Sequence, residues 1–127
     1  MSAGGSRRPR VVTSTTSLTP AVGDRRATGA LWNLTGPDRG LDANVVQLPP
    51  GGRIEPHEGP ALDVLWHVVA GTGTLLTADD DEPPLAPGDV VHLPRGTVRG
   101  VAAGAEGIRY LTVHDRKPPL GIGPTRG

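Results

Sequence analysis

The sequence predicts an all-β domain, and three observations carry that prediction. Short runs rich in Val, Leu and Thr recur at close spacing from residue 28 onward: "GALWNLT", "DANVVQL", "LDVLWHVV", "TGTLLTA", "DVVHLP", "TVRGVA" and "GIRYLTVH". Segments bearing Gly and Pro fall between them: "GPDRG", "PPGGR", "AGTG", "DDDEPPLAPG" and "PRG". No stretch longer than about ten residues carries helical periodicity, and prolines interrupt most candidates. Many short strands separated by turn signals form the pattern of a sandwich or a barrel.

Each segment has its reason. Residues 1–25 are small, polar and arginine-bearing, and "MSAGGSRRPR" reads as a flexible tail. Within it "VVTSTTSL" (11–18) is β-branched and suits a strand that is exchanged between protomers. Residues 28–116 hold the strand runs, and a chain of 127 residues holds one domain rather than two. The 19 glycines and 14 prolines would suggest disorder if spread evenly, but they sit between aliphatic runs, where turns need them. The acidic run "DDDE" (79–82) fits a hairpin tip and lacks the ligand register of a calcium loop. Residues 117–127 read as an extended tail. Trp32, Trp66 and Tyr110 are the only aromatics, so the core is expected to be mostly aliphatic.

Composition removes several classes of function. Lys+Arg and Asp+Glu are 13 each, which gives no positive field for nucleic acid or an anionic membrane. There is no cysteine, so disulfides, thiolate nucleophiles and Cys-based zinc or iron–sulfur sites are excluded. That suits a reducing cytoplasm, where the protein is expected to reside. No apolar run approaches the ~18 residues of a membrane span. Arg7 and Arg8 are not followed by the apolar segment an export signal needs. The serines cluster in residues 1–17, and no Gly-x-Ser-x-Gly elbow occurs. "GTGTLL" leads into a strand pattern rather than a helix, so no phosphate-cradling loop is present.

Two segments carry a more specific signal. Gly51 is followed after five residues by His57 in "GGRIEPHEG", and "LDVLWHVVAGTG" comes next. "GDVVHLPRGTVRG" then supplies Gly88, Pro94 and Gly96. In this order the Gly/Pro skeleton resembles the two motifs of the cupin superfamily over residues 42–114. The resemblance implies a single-domain, cupin-type jelly-roll β-barrel (double-stranded β-helix). "PGD" and "PRG" would bracket one strand, since Pro does not sit inside a central ladder.

The side chains that specify cupin chemistry depart from the family's pattern. His57 matches the first histidine, but the second histidine position falls on Gly59 and the glutamate position on Val64. The histidine of the second motif falls on Arg99 and its asparagine on Ala103. One of four usual metal ligands remains. Three or four convergent donors are the norm for a divalent ion, and Arg99 adds an opposing charge, so no cofactor is expected. An alternative set is His57, Asp63 and His67, with a one-residue bulge turning Asp63 inward; it would hold Fe, Mn or Zn.

Three functional readings follow. In the first, a metal-free barrel binds a small anionic molecule, with Arg99 and His57 as polar anchors and Trp66 beside them. In the second, the protein is an enzyme of the dioxygenase, isomerase or cyclase type, and His57 is its acid/base. In the third, the barrel is packed solid and its role is structural or regulatory. Blander readings stand beside these. His57 is a turn-adjacent polar residue, Arg99 pairs with Asp63 or a carbonyl, and Trp66 is core. His67 and His92 are then wall or interface residues, and His114 is solvated at a strand end. The expected partners are a small-molecule ligand and a second copy in a homodimer, with no nucleic acid and no membrane.

Overall fold

The computed structural model describes residues 8–116. They form seven strands and no helix: β1 (Gly29–Asn33), β2 (Leu41–Leu48), β3 (Arg53–Glu58), β4 (Val64–Thr77), β5 (Pro84–Leu85), β6 (Val90–Leu93) and β7 (Val98–Asp115). All pairings are antiparallel. The architecture is the all-β jelly-roll barrel expected from the sequence.

The two long strands organise the barrel. The C-terminal part of β7 pairs with β2, from Leu41↔Asp115 to Leu48↔Ile108. Its N-terminal part pairs with β3, from Glu58↔Val98 to Arg53↔Ala102. β4 follows β7 along both parts, from Val64↔His114 to Thr77↔Arg99, and carries β5 and β6 on its other edge. The loop 78–83, with its acidic run, joins β4 to β5 as a hairpin tip.

"AGTG" is therefore not the turn its composition suggests. "LDVLWHVV" and "TGTLLTA" belong to one 14-residue strand, and "TVRGVA" and "GIRYLTVH" to one of 18 residues. The glycines bend the strands without breaking them. Gly71 (φ 76) and Gly107 (φ 78) both adopt the left-handed conformation, and the β4–β7 register shifts on either side of Gly71. A Cβ on Gly71 would overlap the carbonyl oxygen of Gly107. Two backbones this close, at a barrel corner, leave no room for a side chain.

The core is aliphatic apart from one aromatic pair. Leu48, Val64, Val68, Leu85, Leu93, Val101 and Ile108 surround Trp66 and Tyr110. Part of the expected flexible tail is held down. Residues 11–18 join no strand; they lead into turns, with Ser17 N–H donating to the Ser14 carbonyl. The buried Arg109 then bonds the carbonyls of Thr15, Leu18 and Pro20, tying this segment to its own sheet. The first seven residues and the tail 117–127 lie outside the described residues.

Candidate functional site

Strand register sets which side chains meet inside the barrel. His57 on β3 and Arg99 on β7 are direct cross-strand partners. Such partners share a face, with Cβ atoms about 4.5–5.5 Å apart. Alternation along β7 sends Arg99 and Val101 inward; beyond the kink at Gly107 the inward set becomes Tyr110, Thr112 and His114. From β4 come Val64 and Trp66, from β2 Val46, and from β3 Ile54. These residues line a cavity of about 270 Å³. The barrel is not packed solid, against the third reading.

Arg99 is the most unusual group in this cavity. The residue is 5% exposed. Its Nη1 donates to the Thr97 carbonyl at 3.1 Å and to Thr97 Oγ1 at 3.2 Å. No carboxylate among the described residues pairs with it, Asp63 included. Burial lowers its pKa from the ordinary guanidinium value. A guanidinium nevertheless stays protonated in proteins, so the cavity holds a fixed positive charge.

The other polar groups surround that charge. His57 is exposed at the cavity edge, and its Nδ1 lies 3.0 Å from the Glu55 carbonyl. A carbonyl only accepts, so Nδ1 carries the proton and Nε2 of the neutral ring keeps its lone pair. Trp66 and Tyr110 stack at a tilt, centroids 4.5 Å apart and planes at 37°. Burial pushes the Tyr110 phenol up to about 12, so its hydroxyl remains a donor at neutral pH. His114 is half-buried and lines the cavity, with Nδ1 2.7 Å from the Asp115 carbonyl; it is not the freely solvated residue a strand end suggests. The signal for it was present: Tyr110, Thr112 and His114 are spaced by two, on one strand face.

The alternative metal set does not assemble. Asp63 stays outside the cavity, where its carboxylate accepts from His92 Nε2 and from the Arg95 backbone N–H, each at 3.0 Å. The His92 hydrogen bond, then that of Arg95, holds its carboxyl below the usual range. His67 points outward, while Val64, Trp66 and Val68 are buried. The physical reason is register. The pairing from Val64↔Leu93 to His67↔Val90 is regular, and the bulge comes only after Val68. No group of three His, Asp or Glu residues able to hold a metal forms among the described residues.

The family model for the cupin domain (Cupin_2) matches residues 44–114, more than half of the chain. The chain belongs to the cupin family. Among curated proteins none matches it. Solved structures place this cupin among others of its fold. The polyketide cyclase RemF from Streptomyces resistomycificus is 21% identical, with a TM-score of 0.63 over 87% of this chain and 83% of that one. A Klebsiella pneumoniae protein with a double-stranded β-helix domain is 18% identical, with a TM-score of 0.64 over 84% and 90%. The cupin domain of Schizosaccharomyces pombe Cnp3 is 17% identical, with a TM-score of 0.59 over 68% of this chain. This cupin spans 63% of that last chain, less than two thirds. Likeness at these identities concerns the fold alone.

Many cupins hold a metal, but the residues here do not suit one. Of the four ligand positions in the motifs only His57 is a donor, beside Gly59, Val64 and Arg99. A buried guanidinium with no carboxylate to neutralise it opposes a divalent cation in the same 270 Å³. The fixed charge in the cavity is positive, and one imidazole is the only family ligand retained.

Proposed function

We propose that this cupin binds a small anionic molecule in its barrel, with Arg99 as the principal anchor and His57 and Trp66 beside it. One observation carries the reading: a guanidinium 5% exposed lines an apolar-walled cavity and bonds only Thr97. A buried charge is costly unless paired, and no described residue supplies the countercharge. A bound anion would. Thermal shift against a panel of small carboxylates and phosphates, on wild type and Arg99→Met, tests it. Ligand at about 100 times Kd stabilises the folded state by roughly 2.7 kcal/mol, and Arg99→Met is expected to lose that shift. Absence of stabilisation by every anion would overturn the reading.

A second reading, an acid/base enzyme, rests on His57. His57 is the direct partner of Arg99 across the β3–β7 ladder, and with Nδ1 bonded to the Glu55 carbonyl, Nε2 is the ring nitrogen left to act. A base beside an anion-binding cation suits removal of a proton next to a carbonyl or carboxylate. Exchange of the C3 hydrogens of 2-oxo acids in heavy water, followed by NMR, checks this; exchange no faster with wild type than with His57→Gln would remove it.

Among the described residues no helix is long and apolar enough to cross a membrane. We further propose a cytoplasmic homodimer; the lack of cysteine suits a reducing compartment. Leu65 and Val90, 46% and 63% exposed on neighbouring strands and set among the exposed His67 and His92, offer an outer face for the second copy. Its mass in solution, before and after Leu65→Glu, tests the dimer.

A further inference from the structure

Several donors on residues lining the cavity find no acceptor among the described residues. Arg99 uses only Nη1; its Nε and Nη2 bond no described residue. That free edge is one a carboxylate meets side-on with two parallel hydrogen bonds. The Tyr110 hydroxyl and the Trp66 indole N–H, on residues 3% and 7% exposed, also bond no described residue. Buried polar groups are nearly always hydrogen-bonded. On these three buried residues the unmatched groups can all donate, so a ligand that completes them brings acceptors.

Gly59 explains how the guanidinium comes to lie there. A Cβ at Gly59 would overlap Arg99 Cζ and Nη1 and come within 2.6 Å of Nε. The head of Arg99 thus occupies space that any side chain at 59 would fill. The two exchanges from the family's pattern, histidine to glycine at 59 and histidine to arginine at 99, are sterically one exchange.

The cavity also restricts the rest of the ligand. Arg99 is its only fixed cation among the described residues. Its walls are Val46, Ile54, Val64 and Val101, with the Trp66–Tyr110 pair adding ring surface. At about 270 Å³ it lies just below the roughly 300–1,000 Å³ of pockets that take drug-sized molecules.

We propose that Gly59 and Arg99 together form a carboxylate seat, and that the ligand is a monocarboxylate with a flat apolar body of about one ring. This deepens the anion-pocket reading and rests on it. The guanidinium fork takes the carboxylate, the Tyr110 hydroxyl and Trp66 N–H are available to the remaining lone pairs, and the aliphatic wall takes the ring. Gly59 is the positioning residue, since it sets where the guanidinium lies.

Titration calorimetry of the full chain with benzoate and with inorganic phosphate tests the seat, using wild type, Arg99→Lys and Gly59→Ala. Wild type is expected to bind benzoate at least about tenfold more tightly than phosphate. Arg99→Lys keeps the charge but loses the fork, and should weaken benzoate by about tenfold or more. Gly59→Ala displaces the guanidinium and should weaken benzoate as much, with circular dichroism unchanged. Should that variant fail to fold, Arg99→Lys carries the test alone. Tighter binding of phosphate than benzoate, or benzoate binding undiminished in Arg99→Lys or in a folded Gly59→Ala, would overturn the seat and leave the anion pocket standing. No binding of any anion by wild type would remove both.

Discussion

Arg99 and Arg109 lie on the same strand, ten residues apart, and are 5% and 3% exposed. Burial lowers the pKa of both. Neither has a carboxylate partner among the described residues, yet their surroundings differ completely. Arg109 Nε donates to Gln47 Oε1 at 2.6 Å, Nη1 to the Thr15 carbonyl at 2.7 Å, and Nη2 to the carbonyls of Leu18 at 3.0 Å and Pro20 at 2.7 Å. Every guanidinium nitrogen is used, and the acceptors come from the chain. Arg99 uses one nitrogen, on one residue. Burial does not distinguish the two residues; hydrogen-bond accounting does. Arg109 is a buried cation completed by its own chain and acts as a fastening, whereas Arg99, left incomplete beside a cavity, is what the proposed anion site needs.

Four measurements would break or sharpen that contrast. The largest effect is expected at Arg109. Arg109→Met strands the Thr15 and Leu18 carbonyls and Gln47 Oε1 at once, while the Pro20 carbonyl keeps Gln47 Nε2, and should cost about 3–5 kcal/mol in urea unfolding. Early proteolysis near residues 15–20 should accompany it.

Tyr110 gives the next largest effect, on the cavity side. Its folded pKa, about 12, lies above the unfolded value of about 10, so the native state holds the proton more tightly. The associated stability is fully present below pH 10 and is lost as pH rises towards 12, by about 2 kcal/mol. Tyr110→Phe should flatten that alkaline limb; an unchanged limb would show that the phenol is not its source.

Gln47→Leu comes third. Gln47 accepts from Arg109 and donates to the carbonyls of Pro20 and Ala21. Its loss should cost about 2 kcal/mol, less than Arg109→Met because the arginine keeps its carbonyl partners. The pair lies in one network, so the double variant should cost less than the sum.

The smallest effect is expected at Arg99. Arg99→Met removes a desolvated charge that the chain does not complete, and stability without ligand should stay within about 1 kcal/mol of wild type, with a gain allowed. A loss as large as that of Arg109→Met would mean that the two arginines are alike and that Arg99 is structural.

The fold was legible because its determinants are local. Gly51, Gly88, Pro94 and Gly96 mark turns by conformation alone, and the Val/Leu runs mark strands. The continuity of β4 and β7 was not legible, since Gly71 and Gly107 look like turn residues until Gly71 is seen against the Gly107 carbonyl and Gly107 against that of Leu48. The site was legible in part. His57, Arg99 and Trp66 all line the cavity, because strand alternation carries motif positions inward. The Asp63/His67 set depended on a bulge that a single sequence does not locate. The fastening by Arg109 could not be read at all, since it joins residues more than 85 positions apart. His114 reads two ways in the sequence: its place near the strand end suggests solvent, and its parity with Tyr110 puts it on the cavity face.

The bonds from Arg109 to Thr15, Leu18 and Pro20 also move the working edge of the unit upstream of its first strand. A cut made just before Gly29, where regular structure starts, would bare a charged, half-satisfied patch on the outside of the barrel. A shortened version meant for ligand screening should begin ahead of Thr15, and any fused partner should be joined upstream of that point.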